Sequence, residues 1–154
     1  MVVSKGHEND LAWMSGSYST EGLMLSRAIV REGLSKLTET TIEFAATKAQ
    51  PKLEDLVGKT MNVHVMRNPD TEQQFSGLCV SVEYLGFRNG YEIYVAEVRP
   101  WFWLLTRTSD LRVFQDKSTV DIIKQLFSEY GFSDYTDKLS DSYAPREYCL
   151  QYRE

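Results

Sequence analysis

The chain has 154 residues, 42% of them hydrophobic and 25% charged, so it can bury a core and has the composition of a globular protein. Its 17 basic and 22 acidic residues give a net charge of -5, the wrong sign for neutralising phosphates, so no nucleic acid partner is expected. The sequence lacks a long apolar run and a secretory signal, so we expect synthesis in the cytoplasm and no stable membrane insertion.

The first strands are predicted after a polar leader. Residues 1–20 mix charge, serine and glycine without a clear period, and we interpret them as disordered or foreign to the fold. Residues 23–30 place apolar side chains on both alternating faces, which predicts a strand covered on two sides. Residues 37–46 are rich in β-branched side chains and predict a second strand.

A helical turn and a hairpin follow. Residues 53–59 have the apolar pair and terminal glycine of a single helical turn, and residues 61–66 alternate as a third strand. Residues 78–84 and 91–98 also alternate, and the connecting segment 86–90 contains the Asn-Gly pair that tight hairpin turns favour. Five closely spaced strands predict an antiparallel barrel or sandwich.

The pattern becomes helical after Pro100. Residues 101–105 predict a short buried helical turn, although a strand is also compatible, and residues 111–114 predict a further strand. A helix then begins with Ser118 as its N-cap and Asp121 in a capping box, and it ends at Gly131. Its predicted buried stripe consists of Val120, Ile123, Leu126, Phe127 and Tyr130.

No residue pattern indicates catalysis or a metal site. His7 and His64 lack neighbouring ligands and are interpreted as solvated surface histidines, and the pair Asp134 and Asp137 is interpreted as solvated surface. The sequence also lacks the short motifs that place a nucleophile or a phosphate. Cys79 and Cys149 are interpreted as free thiols. We therefore predict no enzyme activity, no cofactor and no metal.

The aromatic run Trp101–Phe102–Trp103 leads directly into two leucines, which favours packing in the core. Exposed rings would instead favour a contact with another subunit, or an aromatic platform for a sugar or a base. A small β-barrel module that binds a peptide or a sugar is therefore the alternative function.

Several linked motifs resemble the VgrG family, the spike proteins of the bacterial type VI secretion system. The stretch R-P-W-F-W-L-L begins at Arg99, R-V-F-Q begins at Arg112, and P-R-E-Y-C-L-Q-Y-R-E closes the chain from Pro145. Upstream, D-L-V-G-K at Asp55 and F-S-G at Phe75 are similar to further family positions. The family-motif positions are Gly58, Gly77, Arg99, Pro100, Trp101, Trp103, Phe114, Gln115, Arg146 and Tyr148.

This resemblance implies a mainly β fold with some helix (α+β). An antiparallel β-barrel like the first domain of the phage baseplate hub would span 21–110, and a truncated α/β domain would begin in 111–154. It implies a structural spike component for effector delivery, exported by the type VI machine without a signal peptide. Its partners would be two further copies in a homotrimer of the full-length protein, ring-shaped tube hexamers, and effectors or adaptors. Family members continue past the position of Glu154, so we expect a fragment whose exposed strand edges favour self-association.

Overall fold

A computed structural model of the chain describes residues 11–17, 22–47 and 52–153. These residues form two compact units, one ending at Trp103 and one beginning at Leu104. The predicted boundary near residue 110 lies a little further along the chain, and the assignment of barrel domain and second domain stays a prediction. No helix in the described ranges has the length and apolar character needed to cross a membrane.

The first unit is built on a six-stranded antiparallel sheet. Its strands are β1 (Ala12–Gly16), β2 (Leu23–Arg31), β3 (Glu39–Ala46), β4 (Thr60–Asn68), β5 (Thr71–Arg88) and β6 (Tyr91–Arg99), with the short helix α1 (Leu53–Leu56) before β4. Their order across the sheet is β1-β4-β5-β6-β3-β2, and the two edge strands contact each other. The sheet therefore curls into a half-barrel, which confirms the predicted antiparallel barrel-like class.

The core lies inside this curl. Ile42 and Phe44 of β3 are fully buried, and Phe44 stacks on Tyr94 of β6 with 5.4 Å between ring centroids. Burying each large apolar side chain stabilises the fold by about 2 kcal/mol. The other fully buried large side chains are those of Leu56, Met61, Val63 and Cys79.

The hairpin between β5 and β6 is confirmed, with a tighter turn than predicted. Asn89 and Gly90 have φ angles of 50° and 88°, and Arg88 pairs with Tyr91, so the loop has two residues. Both central residues of such a turn need positive φ, which asparagine and glycine tolerate best. The predicted five-residue loop was wrong because the strand continues past a bulge between Tyr84 and Gly86.

The interpretation of residues 1–20 as lying outside the fold is wrong for β1. Ala12–Gly16 pairs antiparallel with residues 61–65 of β4, and Met14 is buried in the core. Five residues with mixed polarity are too few to show an alternating pattern, so this strand could not be recognised from the sequence. The rest of the predicted leader, apart from residues 11 and 17, lies outside the described residues.

The second unit contains β7 (Leu111–Lys117), α2 (Thr119–Glu129) and β8 (Arg146–Tyr152). Strands β7 and β8 form a two-stranded antiparallel sheet. The capping box is confirmed, since the Asp121 amide donates to the Ser118 hydroxyl and the Ser118 amide donates to the Asp121 carboxylate. Gly131 has a φ of 74°, as expected just beyond a helix end.

The predicted buried stripe of α2 was partly wrong. Ile122 is the buried residue of this helix, whereas Ile123 and Tyr130 are exposed. Val120, Leu126 and Phe127 are half-buried. Apolar residues of α2 occur on more than one side of the helix, so the sequence does not show which side packs. The predicted stripe included Ile123, whereas the helix buries the neighbouring Ile122.

A 3-10 helix spans Trp101–Arg107, where a short buried turn was predicted. The helical conformation is confirmed, with the Trp103 amide donating to the Pro100 carbonyl at 2.9 Å. Burial was wrong, because none of the seven residues is buried and Phe102 is 43% exposed. An aromatic-rich sequence shows that a segment is apolar, but it does not show whether other parts of the protein cover that segment.

Candidate assembly surfaces and the polar network of the sheet

A chain of polar side chains crosses strands β1, β4 and β5. The Ser15 hydroxyl lies 2.7 Å from Nε2 of His64, and Nδ1 of His64 lies 2.5 Å from the Glu72 carboxylate. Trp13 stacks on the His64 ring, with 5.0 Å between centroids and 2° between planes. The prediction of a solvated His64 was therefore wrong, because its side chain is 12% exposed and both ring nitrogens have partners.

This network has the serine, histidine and carboxylate order of a hydrolytic triad, yet its geometry suits stabilisation. Ser15 is only 4% exposed, so a carbonyl substrate has no approach to its hydroxyl. The Asn62 amide donates to the Ser15 hydroxyl at 3.1 Å, and the Ser76 hydroxyl donates to the Asn62 carbonyl at 2.7 Å. These bonds satisfy buried polar groups and hold the edge strand β1 on β4.

Two of the family-motif positions are glycines in the first unit. Gly58 has a φ of 79° at the turn that leads from α1 into β4, and its amide donates to the Cys79 carbonyl at 2.8 Å. Gly77 lies where β5 approaches β6 closely, since a Cβ added there would lie 2.6 Å from the Arg99 carbonyl oxygen. Both positions therefore reflect backbone constraints.

The motif R-P-W-x-W begins at Arg99, the residue whose carbonyl group lies against Gly77. Arg99 ends β6, where its guanidinium lies 3.3 Å from the Glu97 carboxylate and 3.3 Å from the Val98 carbonyl. Pro100 precedes the 3-10 helix, and Trp101 and Trp103 are both half-buried. Trp101 meets Phe102 edge to face with 5.7 Å between centroids. The segment is thus anchored at Gly77 and presents partly exposed aromatic rings.

The remaining motif positions lie on the β7–β8 sheet. Phe114 is buried and pairs with Cys149, whereas Gln115 and Tyr148 pair with each other on the exposed side. Arg146 begins β8 and is exposed. The structure therefore divides the ten predicted positions into one group in each unit and brings no catalytic constellation together among them.

The exposed side of the β7–β8 sheet carries a group of apolar side chains next to the exposed Gln115, and we call it the ribbon face. Leu111 pairs with Tyr152 and Val113 pairs with Leu150, so these residues and Tyr148 share one side. All five side chains are exposed. The alternation in L-R-V-F-Q and Y-C-L-Q-Y indicates that apolar residues share one side of each strand, but it does not show which side of the sheet a helix covers.

Charged groups lie around α2. The guanidinium of Arg112 pairs with the Asp110 and Glu129 carboxylates, and the Lys124 ammonium pairs with Asp137. The hydrogen bond from Arg112 lowers the pKa of Asp110, and the one from Lys124 lowers the pKa of Asp137. Asp137 is exposed, as interpreted from the sequence, and it also pairs with Lys124. The Lys124–Asp137 pair joins α2 to the loop that follows it, and the Arg112–Glu129 pair joins β7 to the same helix.

Both cysteines are free thiols, as interpreted from the sequence. Burial raises the pKa of the Cys79 thiol to about 11, which leaves it protonated and unreactive. Within residues 11–17, 22–47 and 52–153, no group of three histidine, cysteine or acidic side chains is placed to hold a metal ion.

Known proteins match most of the chain. The model of the phage tail baseplate hub (GPD) family matches residues 31–154. The spike protein VgrG1c of the type VI secretion system of Pseudomonas aeruginosa is 40% identical over 134 residues, which are 87% of this chain and 18% of that protein. VgrG1b of the same organism is 38% identical over 152 residues, or 99% of this chain and 20% of that protein. The chain thus spans about a fifth of the length of these curated relatives.

A solved structure is similar at the level of the fold. The E. coli c3393 protein is described as a component of the type VI secretion system with structural similarity to the T4 bacteriophage tail proteins gp27 and gp5. Its TM-score is 0.67 at 19% identity, and the match covers 86% of this chain and 39% of that one. With a family model matching residues 31–154 and VgrG relatives near 40% identity, the chain belongs to the phage tail baseplate hub family and is a homologue of type VI secretion spike proteins.

Proposed function

We propose that this chain forms part of the base of a trimeric type VI secretion spike. The observation that carries the proposal is the match to spike proteins: 40% identity over 134 residues leaves little of the chain outside the relationship. In this role the chain is a structural component, and its residues contribute shape and packing rather than chemistry.

The physical properties of the first unit support a mechanical role. A curled antiparallel sheet shares its load among backbone hydrogen bonds, and its buried core resists deformation. The network of Ser15, His64 and Glu72 ties the edge strand to its neighbour, which keeps that edge from fraying. A platform that transmits thrust needs this kind of rigidity.

The proposed partners are two further copies of the full-length protein, the ring-shaped hexamers of the secretion tube, and the effectors or adaptors that the spike carries. The protein would be made in the cytoplasm and exported by the type VI machine. One relative is named an actin cross-linking toxin, in Vibrio cholerae, but this chain covers only 10% of it at 25% identity. Enzymatic activity in such proteins is therefore not assigned to this chain.

Native purification tests the proposed assembly. A tag would be placed on the encoded protein in its own bacterium, and the complex would be isolated without crosslinking and imaged by electron microscopy. We expect a trimer seated on a ring of tube subunits, with those subunits identified by mass spectrometry. A monomeric species without tube subunits, in cells that assemble an active apparatus, would contradict the proposal.

The alternative of a peptide- or sugar-binding module is favoured by one observation, the 43% exposure of Phe102 beside Trp101 and Trp103. Saturable quenching of tryptophan fluorescence by a peptide or oligosaccharide panel, lost in Trp101→Ala and Phe102→Ala, would support it. A fluorescence spectrum unchanged across the panel would leave the spike role as the better account.

A further inference from the structure

The end of the β5–β6 hairpin carries exposed apolar side chains that no part of the described chain covers. Four large residues lie near the Asn89–Gly90 turn with 36% to 65% of their surface exposed: Tyr84, Leu85, Phe87 and Tyr91. We call these four residues and Arg88 the hairpin end. Single exposed apolar residues are ordinary on a protein surface, but a contiguous group of them marks an interaction site.

A row of aromatic rings joins the hairpin end to the core. The ring centroid of Tyr84 lies 5.3 Å from that of Tyr94, and Tyr94 in turn stacks on the fully buried Phe44 at 5.4 Å. The Tyr84 hydroxyl also hydrogen-bonds to the Glu92 carboxylate on the neighbouring strand. A force applied at the hairpin end is therefore passed to close-packed side chains.

Arg88 places a positive charge at the hairpin end of a chain whose net charge is -5. It is exposed, and it forms no ion pair with the residues that the structure describes. Phe87 precedes it, and Tyr91 pairs with it across the ladder. Arginine and aromatic side chains are enriched where proteins associate, and a guanidinium binds best to a carboxylate. The partner that fits is a protein surface with an apolar depression beside an acidic side chain.

The hairpin end lies at one end of the six-stranded sheet, which favours a partner stacked on that end. Strand β6 runs from Tyr91 to Arg99, and the turn between β2 and β3 lies at the Arg99 end, because Thr40 pairs with Val98. The two-residue turn at the Tyr91 end holds the backbone in one conformation, so little freedom is lost on binding. A second copy bound through the same surface would make a twofold contact, which does not fit a trimer.

We propose that the hairpin end seats the base of the spike on a subunit of the tube ring, with Phe87 in an apolar depression and Arg88 against a carboxylate of that subunit. The inference rests on the proposed function and adds to it the surface that touches the tube. Phe87 is the central side chain of this contact, and Tyr84 and Tyr91 exclude water around it. Each copy of the protein contributes one such contact.

Co-purification of tube subunits with the encoded protein, tagged in its own bacterium, tests the inference. Phe87→Asp should reduce the tube subunits recovered per spike by about thirtyfold, because it places a charge in the apolar centre of the contact. Arg88→Glu should reduce them by about tenfold, because it sets like charges against each other. Leu34→Asp is the matched control and should recover the wild-type amount, since Leu34 is 98% exposed in the turn between β2 and β3 at the other end of the sheet.

Native mass spectrometry of the same preparations separates folding and assembly from the tube contact. Each variant should keep the oligomeric mass of the wild type, and if Phe87→Asp does not, Arg88→Glu and a crosslink decide. A photo-crosslinking benzoylphenylalanine in place of Phe87 should form a covalent product with a tube subunit, whereas the same group in place of Leu34 should not.

The outcomes distinguish this inference from the spike role. A wild-type preparation without tube subunits would contradict the spike role itself. Tube subunits recovered at the wild-type level with Phe87→Asp and Arg88→Glu, or lost with Leu34→Asp instead, would overturn the contact at the hairpin end and leave the spike role standing. A crosslink from position 87 to another copy of the protein would overturn it as well.

Discussion

Replacing Gly77 by alanine is expected to weaken the six-stranded sheet, because the new methyl group meets backbone. Its Cβ would lie 2.6 Å from the Arg99 carbonyl oxygen, 2.8 Å from Cγ1 of Val98 and 2.9 Å from the Arg99 carbonyl carbon. Backbone atoms in a hydrogen-bonded ladder cannot move away without straining the hydrogen bonds of the ladder. Overpacking of this kind costs about 3 kcal/mol, and the lower entropy of the unfolded alanine chain offsets less than about 1 kcal/mol of it.

Gly33→Ala is the matched control. A Cβ at Gly33 would lie 3.3 Å from Cδ of Lys36, which belongs to a flexible side chain that can turn away. This change is expected to be neutral or to stabilise by up to about 1 kcal/mol through the unfolded chain. The two variants make the same chemical change, so their difference isolates the backbone clash.

Urea unfolding followed by tryptophan fluorescence measures this difference in the correct unit. All three tryptophans, Trp13, Trp101 and Trp103, lie in the unit that ends at Trp103. The Gly77→Ala protein should unfold with a free energy about 2 to 3 kcal/mol below that of Gly33→Ala, and it should melt about 6 to 12 °C lower. Two variants that agree within about 0.5 kcal/mol would refute the close approach of β5 and β6.

Three further predictions concern the polar network, the ion pairs and the thiols. His64→Ala should lower the free energy of unfolding by about 2 kcal/mol, because it leaves the buried Ser15 hydroxyl without its ring partner; a loss no larger than that of the exposed Gln74→Ala would contradict this. The lowered pKa values of Asp110, Asp121 and Asp137 give stability that is present above about pH 4 and lost as these groups protonate below it. Acid unfolding followed by circular dichroism should therefore shift to higher pH in Arg112→Gln, and an unshifted curve would count against the pairing. In a Cys149→Ser protein the raised pKa and burial of Cys79 should block reaction with Ellman's reagent near pH 8 until urea is added, whereas rapid release of one thiolate equivalent would place Cys79 at the surface.

Local signals explain which elements were predictable. The Asn89–Gly90 turn and the capping box of Ser118 and Asp121 depend on neighbouring residues, so the sequence identified both. The alternating strands β2, β3, β4 and β6 were found for the same reason. Strand β5 begins at Thr71, earlier than predicted, because its first residues are polar on both sides.

Contacts between distant residues explain what was missed. Ser15 and His64 are 49 positions apart, and nothing in the spacing of either residue indicates that β1 lies beside β4. The family motif marked Gly77 without giving its reason, which is the backbone of β6 pressing against it. Likewise, the sequence of the 3-10 helix indicated apolar character but could not show that Phe102 stays partly exposed.

Release of the protein by the contractile apparatus tests the proposed spike role most directly. An antibody against this chain would be used on cells and culture medium of the source bacterium, with the sheath gene intact or deleted and a cytoplasmic enzyme as the lysis control. The account predicts a band well above 17.8 kDa in the medium of sheath-positive cells alone. A band that stays inside the cells with an active sheath, or that reaches the medium equally without one, would contradict it.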